Sequence, residues 1–412
     1  MSWQVTVSDG ASLPHMTEPE TADRHASWLE LFFDLVVVVA VSQLAHLLHG
    51  DAHHGPGGMD IVTFFTLYLA IWLVWTAFTL YSNVVADKVH LRAMFFGMAG
   101  IAAMAAAVPH SMDGRANVFA AAYLITNGIG SNAFQRAGRV LLSWNAASQN
   151  AGLAPWVASF FVDDPWWKLG LWLFGIALTM SVSMFASRAD QDEVLAHMND
   201  RLAKRAERAR RRAPQSQQAR QITFTIARLD AGHFGERLGL FVIIVLGEAM
   251  LQAVGAVAEL EDWRPGGGEG WLLRLTLVTA FVLLVTLWGL NVRYGFAEDT
   301  RFPPALVLPA HFVVIASITT VAAGLGAALA ESAEHLNTAS TWLMCSGVAA
   351  FLLVINLLVA HTRWWPLRAA AVLVPLAAAV LSPWLPAAVL VAILAVAAGG
   401  QLLTLSRLRS ET

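Results

Sequence analysis

The run Trp28-Leu29-Glu30-Leu31-Phe32-Phe33-Asp34-Leu35-Val36-Val37-Val38-Val39-Ala40-Val41-Ser42-Gln43-Leu44 opens an apolar stretch, 28–48, that is interrupted near its start by two acids. About 20 helical residues cross the ~30 Å hydrocarbon core of a bilayer, and this stretch has that length. Runs of the same kind follow at 61–83, 91–108, 117–136, 169–187, 236–257, 271–291, 305–329, 342–361, 369–381 (extending to 384) and 386–405. Composition agrees with a membrane chain. Hydrophobic residues make up 57% of the 412 positions and charged residues 13%, against about 25% charged in a soluble domain. The fold class is therefore all-α, a polytopic integral membrane protein.

A further stretch, 140–162, is apolar at both ends but holds Ser143, Asn145, Ser148, Gln149 and Asn150. Charge argues for counting it as a span. Cytoplasmic loops are rich in Lys and Arg. With 140–162 as a crossing, the loops carrying Lys88, Arg139, Arg293 and Arg363 fall on one side with the long basic loop and both termini. Of 26 Lys and Arg residues, only Arg115, Lys168, Arg264 and Arg274 are left on the other side. The sequence thus predicts about 12 transmembrane helices in the cell membrane, with both termini cytoplasmic. The first 27 residues lack the apolar core of a signal peptide, so the N-terminus is expected to be retained.

The expected organisation is a cytoplasmic N-terminal tail (1–27), a first six-helix half (28–187), a basic cytoplasmic loop (188–235), a second six-helix half (236–405) and a short tail (406–412). The loop concentrates Lys204, Arg205, Arg208, Arg210, Arg211 and Arg212. These fit an anchor on anionic lipid headgroups, each cation contributing ~1 kcal/mol. No aromatic residues interleave with them, so no nucleic acid is expected. The halves open alike, at Trp28-Leu-Glu30-Leu-Phe-Phe-Asp34 and at His233-Phe-Gly-Glu236-Arg237-Leu-Gly-Leu-Phe. Six spans between the copies is an even number, so the two six-helix halves would be parallel, as in several transporter folds.

The same two segments carry a resemblance. Trp28-Leu-Glu-Leu-Phe-Phe-Asp-Leu-Val resembles the opening signature of the bacterial low temperature requirement A (LtrA) family. His233-Phe-Gly-Glu-Arg-Leu-Gly-Leu-Phe-Val-Ile-Ile-Val-Leu-Gly-Glu resembles its second signature. The resemblance extends from about residue 25 to the end of the chain. It implies a membrane architecture and, through the family's name, a link to growth in the cold; it implies no reaction.

Ionisable residues inside a span cost at least ~2.5 kcal/mol at its centre, so each needs an account. Glu30 and Asp34 share a helix face, with Asp34 about 9 Å deep at ~1.5 Å per residue. Glu236 and Arg237 open the seventh span at the same level, and Glu248 lies about 18 Å in, near the midplane. Where water is scarce a carboxyl group favours its neutral form, which suits it to carry a proton. The alternative is structural, with acids near the surface pairing with Arg136, Arg139 or Arg237 and compensating helix dipoles. Asn127, Ser131 and Gln135 form a polar stripe that either packs on another helix or lines an aqueous path. His311 lies inside the ninth span as a proton relay or a hydrogen-bonded core residue.

No metal-ligand pattern, nucleotide-binding loop or nucleophile motif is present, so no cofactor or metal and no enzyme activity are expected. Two readings remain. One is a secondary, proton-coupled transporter of an unknown small-molecule or ion substrate, using the embedded acids. The other is a non-catalytic scaffold or sensor in stress or cold adaptation, partnered by the lipid bilayer and its anionic lipids.

Overall fold

In lipid every backbone N–H and C=O must find a partner within the protein, and a helix satisfies them inside its own segment. The computed structural model describes residues 25–50, 55–85, 91–136, 139–140, 150–186, 200, 225–226, 229–259, 270–296, 304–359 and 364–410. Each of the eleven clearest apolar runs is a helix in it. In chain order these are α1 (Trp28–His46), α2 (Gly58–Val85), α3 (Leu91–Ala107) and α4 (Ala116–Arg136). A strand β1 (Arg139–Val140) and a short helix α5 (Leu153–Ala158) follow, then α6 (Pro165–Ala186) and β2 (Thr225–Ile226). The remainder is α7 (Ala231–Ala258), α8 (Gly270–Tyr294), α9 (Pro304–Ala330), α10 (Thr338–Val359), α11 (Trp365–Leu381) and α12 (Ala387–Ser410).

Nine helices among the described residues are long and apolar enough to cross a membrane: α1, α2 and α6 to α12, with α11 counted through its 3₁₀ extension to Trp384. That differs from the expected twelve at three places. α3 has 17 residues, ~25 Å of helix against a core of ~30 Å. α4 has 21 residues, but its polar stripe makes it less apolar. Within 140–162 the described part is the six-residue α5 and a 3₁₀ turn, Ser159–Phe161, while 141–149 lie outside the described residues. β1 and β2 form a two-residue parallel pair, Arg139 with Thr225 and Val140 with Ile226, the one departure from an all-helical chain among the described residues.

The core runs along α2 and α9. α2 is buried at nearly every position from Thr63 to Val85, and α9 is the most enclosed of the apolar helices. Around them, α1 packs on α2 and α3, α3 on α4, and α2 on α4 and α6; in the later part α7 packs on α8 and α9, α9 on α10, and α8 on α10 and α12. α5 runs antiparallel to the first half of α6. Gly152 meets Gly175 so closely that a Cβ there would lie 1.9 Å from the Gly175 carbonyl oxygen, and Trp172 Nε1 donates to Ser159 Oγ at 2.8 Å. Trp156 stacks on Trp172 (4.9 Å) and on Tyr123 of α4 (4.1 Å), tying α4, α5 and α6 into one aromatic layer.

Candidate functional site

Ser27 starts α1 as a capping box. Its hydroxyl accepts from the Glu30 backbone N–H, and Glu30 Oε2 accepts from the Ser27 backbone at 2.8 Å. The box satisfies the first free donors of the helix and fixes the Glu30 carboxylate at its mouth. One turn on, the Asp34 carboxylate points the same way. Opposite, α7 begins at Asp230, whose side chain accepts from the His233 N–H at 3.1 Å. That start is docked by Asn83 at the end of α2, whose Oδ1 accepts from Asp230 N and whose Nδ2 donates to Asp230 O, both at 3.0 Å.

Four buried side chains meet between α1, α2 and α7. Arg237 donates to Asp34 Oδ1 at 2.5 Å and to Ser82 Oγ at 2.9 Å, with Glu30 Oε1 3.6 Å away. Trp75 Nε1 donates to the same Asp34 oxygen at 2.7 Å. His233 Nε2 lies 3.3 Å from Glu30 Oε2, and its Nδ1 lies 3.0 Å from Asn83 Nδ2. Because Asp230 N–H fixes Asn83 Oδ1, the amide nitrogen faces His233. Nδ1 therefore accepts, and Nε2–H donates to Glu30. Glu30 and His233 are 2% exposed, Asp34 and Arg237 0%.

Two carboxylates, one guanidinium and one imidazole share this site. Asp34 Oδ2 accepts no hydrogen bond among the described residues. A proton or a small cation could be held at that oxygen. Nor does the site include Glu248. Eleven residues separate it from Arg237, ~16 Å along the helix; it is half-buried and accepts from Gln252 Nε2 at 3.2 Å.

The acids and the arginine of the cluster come from the two segments that carry the resemblance, and comparison with known proteins covers both. The family model described as bacterial low temperature requirement A protein (LtrA) matches residues 25–402. The chain belongs to the LtrA family. A protein of Rhizobium meliloti (strain 1021) carrying the name uncharacterized protein RA0937 is 26% identical, over 77% of this chain and 76% of its own length. No solved structure matches. Within this LtrA fold, Glu236 stands apart from its neighbour Arg237. It is half-exposed and holds the segment before α1, accepting from Ala26 N at 3.2 Å with His25 Nδ1 at 3.4 Å.

His311 is a core residue next to the cluster. Trp72 Nε1 donates to its Nδ1 at 3.4 Å, so Nε2–H donates to Leu238 O at 3.3 Å. It stacks on Trp75 at 5.1 Å. Asn127 and Ser131 are buried on α4, which packs on α2 and α3; the side chain of Gln135 and those of Arg136 and Arg139 lie outside the described residues. So do Lys204, Arg205, Arg208, Arg210, Arg211 and Arg212. No group of three or more His, Cys, Asp or Glu among the described residues could hold a metal ion. Sequence reasoning gives Trp75, Ser82 and Asn83 no place in the site. Their one signal is the pair Ser82-Asn83 closing an otherwise apolar run at the level of Glu30.

Proposed function

We propose that this chain is a proton-coupled carrier, not an enzyme, whose coupling site is the Glu30–Asp34–His233–Arg237 cluster. The observation that carries the reading is the Asp34 carboxylate, fully buried where the start of one half meets the start of the other, with its Oδ2 accepting no hydrogen bond among the described residues. A carboxylate oxygen without a donor inside a bilayer is costly unless a proton or ion meets it. A site that is loaded and unloaded as two halves move against each other is what alternating access requires.

The two-half, twelve-crossing architecture is part of the proposal. The helix packing order supports it, since α1 to α4 and α7 to α10 follow the same sequence of neighbours. Parity supports it too. The starts of α1 and α7 share one face, so an even number of crossings must separate them. α1, α2, α3, α4 and α6 supply five, and the sixth is the segment 137–164. Its first described residues pair with β2, close in sequence to the start of α7, and Ser159 lies against the opposite end of α6. Both termini then fall on one side, which the Lys and Arg distribution assigns to the cytoplasm.

The test is flux. Protein reconstituted in liposomes under an imposed pH gradient, with pools of small-molecule and ionic solutes, should give solute-dependent proton movement above empty liposomes. Asp34→Asn should abolish it while Glu248→Gln retains most of it. No flux above empty liposomes across such pools would overturn the reading. If function in the cell then depended on Arg208, Arg210, Arg211 and Arg212 and not on Asp34, the chain would be a lipid-bound scaffold.

A further inference from the structure

A second feature lies on the other face, away from the ion cluster. Between α3 and α4 runs a groove of about 610 Å³. Small residues line it, Ala99, Gly100, Ala103 and Ala121 among them, beside the exposed Phe96 and Ile125. α3 and α4 cross tightly at its floor, where a Cβ on Gly100 would fall 1.9 Å from Thr126 Oγ1. Thr126 spends its hydroxyl on Ala122 O at 2.6 Å, which leaves Asn117 as the groove's polar end. From Asn117 to Ile129 is twelve residues of helix, ~18 Å, close to the ~15 Å of hydrocarbon in one leaflet.

At that polar end stands an uncompensated cation. Lys168 of α6 is 8% exposed, and its ammonium donates to Asn117 Oδ1 at 2.9 Å. No carboxylate among the described residues lies within ion-pair distance of it. Two of its three donors have no partner among the described residues, beside the N-terminus of the 21-residue α4, which itself favours an anion. Trp166 and Trp167, both exposed, precede it, and tryptophan is enriched at the level of the lipid headgroups.

We propose that this groove is a binding site for one anionic glycerophospholipid, with an acyl chain along α3 and α4 and its phosphate at Lys168 and Asn117. The groove alone would accept any hydrocarbon chain; the buried, unpaired ammonium at headgroup level selects the charge. The site is separate from the basic loop around Arg208, which the expected topology puts on the opposite surface.

The experiment uses the full-length chain, delipidated in neutral detergent and titrated with phosphatidylglycerol or phosphatidylcholine, with bound lipid read by native mass spectrometry. Phosphatidylglycerol should be retained roughly fivefold better, the effect of one cation beside a headgroup. Lys168→Met should bring it down to the phosphatidylcholine level. Ala121→Phe, which fills the groove, should lower retention of both lipids. Replacing Arg208, Arg210, Arg211 and Arg212 by Gln should leave the Lys168-dependent fraction in place, and excess inorganic phosphate should not displace it.

Equal retention of the two lipids by the unaltered chain would overturn the proposal, as would a Lys168→Met protein that keeps its preference. Should Lys168→Met fail to fold, undiminished retention by Ala121→Phe overturns it equally. A lipid-free dimer broken by Ala121→Phe would assign the groove to a second copy of the chain instead.

Discussion

Arg237 is the residue on which the buried cluster depends. It contacts α1 through Asp34 and Glu30 and α2 through Ser82, so three helices meet at one guanidinium. Removing one partner of a buried pair leaves the other charge uncompensated, at a cost of about 3–5 kcal/mol. Arg237→Met should therefore lower the unfolding temperature sharply in a fixed detergent. The double change Arg237→Met with Asp34→Asn should recover part of the loss, because it removes the orphaned charge along with the cation. Additive losses would mean that the two side chains are not coupled. Lys in place of Arg should fare poorly, since a single ammonium cannot span Asp34 and Ser82 with a planar fork. The spacings at this site were legible in the sequence: Glu30 and Asp34, like His233 and Arg237, are four apart and so share a face. That these two faces meet each other was only one option, Arg237 standing beside Arg136 and Arg139 as a partner for the acids, because helix periodicity says which residues stand together on one helix and nothing of its neighbour. Glu248 shows the same limit. It lies on nearly the same face as Arg237, but α1 and α2 widen the buried arc of α7 only near its start. Further along, burial falls on Val245, Leu246, Ala249 and Ala253, and Glu248 is left at the edge.

At the scale of elements, hydropathy located the eleven clear helices because lipid forces the backbone into them, while the contacts that join them rest on single residues within apolar runs. Asn83 is one. Its amide pairs with both backbone groups of Asp230, so Asn83→Leu would leave a donor and an acceptor unmet at the start of α7, costing about 1–3 kcal/mol. Amide hydrogen exchange should speed up at 230–233 before it does elsewhere in α7; unchanged protection there would argue against the docking role. Glycines give a paired test. Gly152→Ala should destabilise by about 1–3 kcal/mol, since its Cβ would strike the Gly175 backbone and part α5 from α6. Gly128→Ala on α4 meets nothing within 4 Å and should be neutral or better, helix propensity favouring Ala by up to ~1 kcal/mol. At the far end of α1, burial and the neighbouring His46 hold the His49 imidazole below its ordinary value of 6.5. The unfolded chain therefore binds that proton more readily, so His49's contribution to stability is complete above pH ~6.5 and declines as the pH falls below it. His49→Gln should flatten the acid side of a melting-temperature profile between pH 7.5 and 5.5.

For the whole molecule, the decisive question is how the chain passes between 136 and 165, because every later helix takes its direction from that passage. Hydropathy alone could not settle it, since the polar residues of 140–162 dilute the signal that makes a span visible. Contacts at the two ends speak more clearly. Val140 is paired to Ile226, five residues before α7 begins, whereas Lys168 reaches Asn117 at the opposite end of α4. Further ties agree on the second face. The loop before α2 meets the start of α10, with Gly55 against Asn337, and the start of α12 is bonded to the loop after α9, Ala387 N to Glu334 O at 2.8 Å. Accessibility to a membrane-impermeant maleimide checks this directly. In a Cys345→Ser background, His25→Cys and Leu229→Cys should be labelled from the cytoplasmic side, and Asp113→Cys, Asp163→Cys and Ala333→Cys from the other. The informative site is Asp163. If it were labelled from the same side as Leu229, the segment would turn back without crossing, and the first half would hold an odd number of spans. α1 and α7 could not then begin on one face, and the buried Asp34 carboxylate between them would no longer lie at an interface of parallel halves. Labelling from the opposite side preserves both, because only a sixth crossing lets Asp34 and Arg237 enter the bilayer side by side from the same surface.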